Sequence, residues 1–365
     1  MIDTASEPHA ASVTIWFRSL FGAVWRANRE ILLGAALVVA AGFALQVALP
    51  IPALMRDLAF RPSFQYLLLF LWLPLPIAIL LGRLAVRDDS NNFLPGVRGW
   101  RIAWERFRHG QLSSDRCVGA VLAGCAVSLV INTCGSWKRV IPTVAPFSWD
   151  ARFAKLDLVL HGGSHPWEWL HPVVGRPLIT SALDTLYFMW LPVFGVVLAW
   201  QAWSGRTQLR ARFFLSVFFV WVVIGGGLAT MFSSAGPSFY GYLIPGADPY
   251  AVLLSYLDSV ADADFNTRTM QHALWQAYST NSASPYMGIS AMPSVHVGMP
   301  VLYALVGWSY SKVLGTLLAL YAVGVLIATV HLSWHYAIDG YVSAILVIAW
   351  WWVLGRWRRF RGSGV

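Results

Sequence analysis

The sequence predicts an all-α protein that crosses the membrane several times. Hydrophobic residues fill 57% of its 365 positions and charged residues only 12%, and the mean hydropathy is +0.58. Apolar stretches of about 18 residues or more recur along the chain, which is the length that a helix needs to cross a bilayer. The 20 Trp and 13 Tyr residues are typical of a protein with aromatic belts at both membrane interfaces.

Eight membrane-spanning helices are predicted from these stretches. Residues 1–115 hold an amphipathic segment (13–29) and two spans, residues 116–355 hold a six-helix catalytic core, and residues 356–365 form a basic cytoplasmic tail. The core segment between residues 294 and 310 is the shortest of the apolar stretches. The predicted spans are 31–50, 64–85, 116–136, 179–202, 213–232, 294–310, 313–331 and 335–354.

Basic residues fix the predicted orientation. If the N-terminus lies inside, 18 Lys and Arg residues fall on inner segments and 8 on outer ones, as the positive-inside rule expects. The net charge of +9 is therefore attributed to topology, and we expect membrane lipids rather than nucleic acid as partners. Arg outnumbers Lys 23 to 3, a bias typical of a bacterial protein from a GC-rich genome. We therefore place the chain in a bacterial inner membrane, with connections 137–178 and 233–293 in the periplasm.

The first motif whose residues could take part in catalysis is the segment Ser290-Ala-Met-Pro-Ser-Val-His296, which enters the sixth span from outside. Pro293 suits the first turn of a helix and Ser294 suits its cap. The start of a helix offers free backbone N–H groups and the positive end of the helix dipole, which together bind phosphate well. His296 would face the same anion.

The second motif runs from His331 to Asp339 at the outer ends of spans seven and eight. His335 and Asp339 are four residues apart, so on a helix they share one face. The carboxylate can then bind one ring nitrogen of His335 and make the other nitrogen a better nucleophile. An aspartate inside a span is costly without a partner, which indicates a functional role for Asp339.

These two motifs resemble the second and third signature motifs of the type 2 phosphatidic acid phosphatase superfamily. Within it, the His-Tyr-x-x-Asp form at His335 is similar to the branch that contains inositol phosphorylceramide synthase and the sphingomyelin synthases. The resemblance covers roughly residues 115–355. Further segments similar to that branch are Asp150 to Gly162, Pro166-Trp167, Asp184-x-x-Tyr187 and Ala235 to Tyr240.

The resemblance implies catalysis through a phosphohistidine at the outer membrane face, without metal or organic cofactor. His335 would attack phosphorus, Asp339 would orient it, and His296 would move the proton. The expected substrate-binding residues are Ser294, Ser290, His331, Arg176, Asp184 and Tyr187.

The chain departs from the parent superfamily in the cations of two motifs. Ala328 and Thr329 stand where the parent third motif has Ser-Arg, and Trp169 stands where the first motif has Lys ahead of Arg176. Arg176 is the cation that we expect to neutralise the transferred phosphoryl group.

Three further functions stay open from the sequence. Water could replace a lipid alcohol as acceptor, which would make the chain a lipid phosphate phosphatase. A membrane metalloenzyme could use His331, His335 and Asp339, which are spaced at i, i+4 and i+8 for one helical face. An inactive protein that binds or flips lipids would explain the missing arginine ahead of His335.

The charge distribution generates a testable prediction about sidedness. Reporter fusions are expected to place residue 95 in the cytoplasm and residue 255 outside, because basic residues are concentrated on the inner connections. A cytoplasmic signal at residue 255 would contradict both the topology and an outward-facing site.

Overall fold

The computed structural model describes residues 7–49, 114–261, 265–280 and 288–362, and this part of the chain is helical, with no strand. The predicted span 64–85 lies outside the described residues. The main helices are α1 (Glu7–Ala48), α2 (Ser114–Val144), α3 (Asp150–Leu160), α4 (Pro166–Val174), α5 (Pro177–Phe188), α6 (Trp190–Ala202), α7 (Thr207–Phe218), α8 (Ala251–Val260), α9 (Asn266–Ser279), α10 (Val295–Trp308), α11 (Lys312–His331) and α12 (Ala337–Gly362).

Six stretches of the described chain are long and apolar enough to cross a membrane, and they coincide with six of the predicted spans. The predicted 294–310 span is represented by α10, whose 14 residues extend about 21 Å, less than the hydrocarbon thickness of about 30 Å. The predicted amphipathic segment and the first span belong to one continuous helix, α1. The six stretches are Arg18–Leu45, Asp115–Val144, Pro177–Ala202, Thr207–Met231, Lys312–His331 and Ala337–Trp357.

The surface of α11 shows why this bundle belongs in lipid. Four large apolar side chains spaced three or four residues apart are more than half exposed, and they form one stripe along the helix. The other side of α11 packs against α10. A continuous apolar stripe on the outside of a helix is favourable against lipid and unfavourable against water. The residues of the stripe are Val313, Leu317, Leu320 and Val323.

Helix α10 lies at the centre of the bundle. It contacts α11, α12, α6 and α7, and side chains on all its sides are buried, among them Met299, Leu302 and Tyr303. Beyond α7 the chain continues as a π-helix (Phe219–Leu228) that also packs on α10. Because α10 is enclosed by these neighbours, its first turn, which carries His296, has a fixed position.

A second layer of short helices covers the end of the bundle at which α10 begins. Helix α3 packs on α12, and α4 packs on α11. These helices share an apolar core of their own with α8, formed around Phe153, Trp167 and Leu253. The layer places connection 145–176 and the described parts of connection 233–293 over the first turns of α10 and α12.

Buried carboxylates attach this layer to the bundle. Asp157 of α3 accepts hydrogen bonds from the backbone N–H groups of Ala337 (2.7 Å) and Ile338 (3.0 Å), which open α12. Burial raises the pKa of the Asp157 carboxyl, and the two N–H donors oppose that rise. The free N–H groups at the start of α12 are therefore bound by a carboxylate from a distant helix.

Asp150 and Asp184 also accept hydrogen bonds from backbone N–H groups of distant segments. Asp150 accepts from the N–H groups of Ala235 and Gly236, and also from the Tyr336 hydroxyl at 2.9 Å. Asp184 of α5 accepts from the N–H groups of Asn266 (3.0 Å) and Thr267 (3.1 Å) at the start of α9. Each carboxylate thus binds two neighbouring N–H groups of another segment.

Removing the charge of Asp157 is expected to destabilise the protein. In Asp157→Asn one acceptor oxygen becomes an NH₂ group that faces an N–H donor, which leaves a buried donor without a partner at a cost of about 1–3 kcal/mol. Thermal unfolding followed by tryptophan fluorescence should show a lower midpoint. The matched control is Asp115→Asn, at an exposed carboxylate in the first turn of α2, which should shift the midpoint little. Equal midpoints for both variants would contradict this role.

Candidate active site

His335 lies in the connection between α11 and α12 rather than on a helix. The carbonyl of Thr329 accepts hydrogen bonds from the N–H groups of Trp334 (2.9 Å) and His335 (3.1 Å), which folds the chain back after α11. Ser333 adopts a left-handed backbone conformation there, with φ of 62°. The sequence led us to expect His335 and Asp339 on one helical face, but only Asp339 belongs to α12.

Asp339 nevertheless reaches His335. Its Oδ2 lies 3.2 Å from His335 Nδ1 and also accepts from the Tyr336 N–H at 3.1 Å. The distance between Oδ2 and Nδ1 is at the upper limit of a hydrogen bond between a catalytic base and its partner. Asp339 is fully buried. The carboxylate therefore holds both the imidazole and the backbone beside it.

His296 lies opposite, in the first turn of α10. The centroids of the two imidazole rings are 5.7 Å apart, and we expect a separation of roughly 4–7 Å to leave space for one phosphoryl group in line between them. The His296 ring packs between Tyr187 (5.0 Å) and Trp190 (4.9 Å). Its Nδ1 is buried and has no hydrogen-bond partner among the described residues.

The electrostatic environment keeps His335 uncharged. Burial lowers the pKa of the His335 imidazole, and the nearby Lys138 cation lowers it further, whereas a hydrogen bond with the backbone of Ala291 opposes the change. At neutral pH the ring is therefore neutral, and a neutral ring has the free nitrogen electron pair that a nucleophile needs.

The two histidines stand at the polar end of an apolar cavity of about 530 Å³. Lys138, Ser290, His296 and His335 line that end, and most of the remaining wall is aromatic or aliphatic. The π-helix contributes Trp221 and Gly225, and π-helical segments frequently occur at functional sites. The other wall residues include Ile131, Cys134, Tyr187, Phe188, Leu191, Phe194, Gly195, Phe239, Met270, Leu274 and Trp334.

Lys138 is the residue that the sequence analysis missed. The predicted third span ended at residue 136, whereas α2 continues to Val144 and carries Lys138 into the cavity wall. Its charge acts on both His296 and His335. The signal was present in the sequence, because a lysine in a membrane helix is costly unless it serves a polar site.

Only some of the predicted substrate-binding residues line the cavity. Ser290 and Tyr187 line the cavity. Ser294 is fully buried, and its Oγ accepts from the Val297 N–H at 3.3 Å. The serine is thus the cap of α10, as the sequence indicated, while Pro293 precedes the helix instead of opening it.

Three further predicted residues lie away from the cavity wall. Arg176 is exposed just before α5 and is not among the described residues that line the cavity. Asp184 binds the start of α9, as described above. His331 contacts another cluster, in which its Nε2 lies 3.0 Å from Thr180 Oγ1 and its ring 5.8 Å from that of His171.

The helical face that the metalloenzyme hypothesis requires is not formed. Helix α11 ends at His331 and α12 begins at Ala337, so His331, His335 and Asp339 do not share one helical face. Within the described ranges, no group of three or more His, Cys, Asp or Glu side chains is arranged to hold a metal ion.

Comparison with known proteins gives the family. Residues 151–353, more than half of the chain, match the PAP2 superfamily. The rubrofusarin-specific efflux pump aurT of Gibberella zeae is 28% identical over a 173-residue alignment, which covers 42% of this chain and 30% of that protein. The chain therefore spans about a third of the length of this curated relative. No solved structure gives a significant match. The matched region contains His296, His335 and Asp339, and the chain belongs to the PAP2 superfamily.

Proposed function

We propose that the chain is a lipid phosphotransferase or phosphatase that works through a phosphohistidine at the outer membrane face. The observation that carries this proposal is the His335–Asp339 pair facing His296 across 5.7 Å at the polar end of an apolar cavity. In the bacterial inner membrane that we infer from the sequence, this end faces the periplasm.

The first half of the reaction forms the covalent intermediate. Nε2 of His335 attacks phosphorus, and the bond from phosphorus to the leaving lipid oxygen breaks. His296, protonated when the phosphate anion is bound beside it, gives its proton to that oxygen. Asp339 stabilises the positive charge that develops on His335, because its Oδ2 is bound to Nδ1.

The second half regenerates the enzyme. Neutral His296 takes the proton of an acceptor hydroxyl, whose oxygen attacks phosphorus while the phosphorus–nitrogen bond to His335 breaks. Lys138 is the cation that we assign to the phosphoryl oxygens, in place of Arg176, because Lys138 lines the cavity and Arg176 does not. The first-motif lysine and third-motif arginine missing from the sequence are thereby replaced by a charge from α2.

The shape of the cavity favours a lipid as the substrate. Along α2 its wall extends from Lys138 to Ile131, which is about 10 Å at the rise of an α-helix. A phosphorylated head group at the histidines would place an apolar chain among Trp190, Phe194 and Trp221. Following the branch resemblance, we propose transfer of an inositol-phosphate-like head group to a lipid alcohol, with water as the alternative acceptor.

A lipid-binding or flipping protein without chemistry is the second candidate function. The apolar cavity and the similarity to a protein named as an efflux pump favour it. It does not explain, however, why a buried Asp339 binds His335 Nδ1, or why the His296 ring lies 5.7 Å from the His335 ring. Covalent labelling of the protein distinguishes the two candidates.

The two histidine variants are expected to fail in different ways. His335→Ala removes the attacking nitrogen, so no phosphate can become attached to the protein. His296→Ala withdraws proton transfer, which is worth roughly 10²–10⁴-fold in rate. A nitrophenyl phosphate donor has a leaving group that needs little protonation, so it should partly restore the first step in His296→Ala and not in His335→Ala.

Brief labelling with a ³²P donor, followed by acid and base treatment, measures this step. Phosphohistidine is labile in acid and stable in base, whereas phosphoserine is stable in acid. Label on Ser294 would contradict the assignment of the nucleophile. Absence of label in the wild-type protein with every phosphorylated lipid donor tested would favour the lipid-flipping alternative.

Lys138 is expected to contribute more to catalysis than Arg176. Loss of one group that stabilises the charge of the transition state costs about 10²–10³-fold in kcat. We expect Lys138→Gln to show a loss of this size, Lys138→Arg to recover part of it, and Arg176→Gln to stay within a few-fold of wild type. Steady-state kinetics with one lipid donor measure all three. The opposite order of Lys138→Gln and Arg176→Gln would return the role to Arg176.

A further inference from the structure

Apolar side chains are exposed on the α3–α4 segment (residues 150–174), which belongs to the layer of short helices. Five large ones are 40–68% exposed. The opposite side of α3 is packed through Phe153, Ala154 and Asp157. An exposed apolar surface of this kind marks a contact with a protein or with a membrane. The five residues, called the apolar patch below, are Leu156, Val159, Leu160, Trp169 and Val173.

Each of the two helices presents its part of the apolar patch on one side. The three residues on α3 are spaced at i, i+3 and i+4, and the two residues on α4 are spaced at i and i+4. The ring of His161, which follows α3, contacts the Trp169 ring of α4, with 5.4 Å between the ring centroids. His161 therefore connects the two parts of the patch.

Tyr341 gives the depth of the α3–α4 segment relative to the bundle. It is the fifth residue of α12 and of the membrane-spanning stretch Ala337–Trp357, so it lies about 6 Å inside the start of that stretch. Its hydroxyl oxygen is 3.0 Å from His161 Nε2, and the centroids of the two rings are 5.9 Å apart. The end of α3 therefore lies at the level of the second turn of α12.

The exposed surface of α12 continues from Tyr341 along the membrane-spanning stretch. Ile345, Ile348 and Trp352 are also exposed, and with Tyr341 they are spaced at i, i+4, i+7 and i+11, which places all four on one side of the helix. This side faces lipid, because the helix is long and apolar enough to cross the membrane. Since His161 contacts Tyr341, the apolar patch continues a lipid-facing surface of the bundle.

The backbone of the turn between α3 and α4 is suited to the edge of a bilayer. The N–H groups of His161 and Gly163 donate to carbonyls of α3 at 3.1 and 2.8 Å. The His165 N–H donates to the Glu168 carboxylate at 3.2 Å. Backbone groups that meet lipid must be satisfied within the protein, and these three N–H groups are.

Two cations lie on the same side of α3 as the apolar patch, but nearer the start of the helix. Arg152 and Lys155 are exposed, and they precede Leu156 and Val159 by one helical turn. Along α3 the cations are thus farther than the apolar side chains from His161, the residue that contacts Tyr341. A helix in the membrane interface places its apolar side chains among acyl chains and its basic groups at the lipid phosphates.

We propose that the α3–α4 segment lies in the interface of the leaflet on the histidine side, which is the outer leaflet on the predicted topology. The apolar patch then contacts acyl chains, while Arg152 and Lys155 meet the phosphates. Asp157 of the same helix binds the N–H groups that open α12, so the leaflet supports the helix that holds the start of α12. The proposal does not depend on the reaction at the histidines.

Spin labels on the apolar patch test this placement. In the full chain, Cys117, Cys125 and Cys134 are replaced by alanine, and one new cysteine is labelled with a nitroxide. The protein is reconstituted in phosphatidylcholine nanodiscs. Power saturation in electron paramagnetic resonance then compares collisions of the label with oxygen, which concentrates among acyl chains, and with a water-soluble nickel chelate.

Two positions report on the patch and two serve as references. Leu160→Cys and Val173→Cys place the label on α3 and α4. Leu320→Cys, in the apolar stripe of α11, is the matched lipid reference. Thr269→Cys is the water reference, because Thr269 is exposed on α9 beside the exposed His272.

We expect the labels at Leu160 and Val173 to collide several-fold more with oxygen than with the nickel chelate, as the label at Leu320 does, and the label at Thr269 to show the reverse. More collisions with the chelate at both patch positions would overturn the proposal, because the patch would then face water. Few collisions with either reagent would also overturn it, since they would assign the patch to a contact with protein. Should one labelled variant fail to fold, the other carries the test.

Discussion

The backbone break between α11 and α12 is the constraint on which the rest of the site depends. Residues 332–336 leave helical geometry among buried side chains, where each N–H group without a partner would cost free energy. Asp157 binds the first N–H groups of α12, and Asp339 binds the N–H of Tyr336. Gln271 of α9 donates to the carbonyl of Leu332 at 2.9 Å. The connection that carries His335 is therefore fixed by side chains from three other helices.

Gln271 is in turn positioned because its helix, α9, is bound to α5 of the bundle. Asp184 binds the start of α9, whose Thr267 accepts a hydrogen bond from the Trp334 indole at 3.1 Å. Trp334 stacks on Tyr187, and Tyr187 packs against His296. Hydrogen bonds and ring contacts thus connect the α9 start to both histidines. A candidate site on irregular backbone is held in place in this way, and fixed groups are what charge stabilisation requires.

The two ends of the bundle use opposite charges in equivalent ways. At the histidine end, buried carboxylates bind backbone N–H groups, as Asp150 does at Ala235 and Gly236. At the other end, guanidinium groups bind backbone carbonyls, as Arg206 does at Ser309. Both arrangements satisfy backbone groups at the places where helices end.

The sequence by itself determined the membrane class and six spans of the described chain, and it predicted His296, His335 and Asp339 as a candidate site, because hydropathy and short motifs are local properties. Tertiary structure decided which basic side chain lines the cavity beside the two histidines. Arg176 precedes a helix at the surface, whereas Lys138 enters the cavity because α2 extends beyond its most apolar stretch. The tertiary structure also separates His331 from His335, because the chain turns between them. Helix ends and contacts between distant segments depend on packing across the whole bundle, and residue spacing along the chain does not encode them.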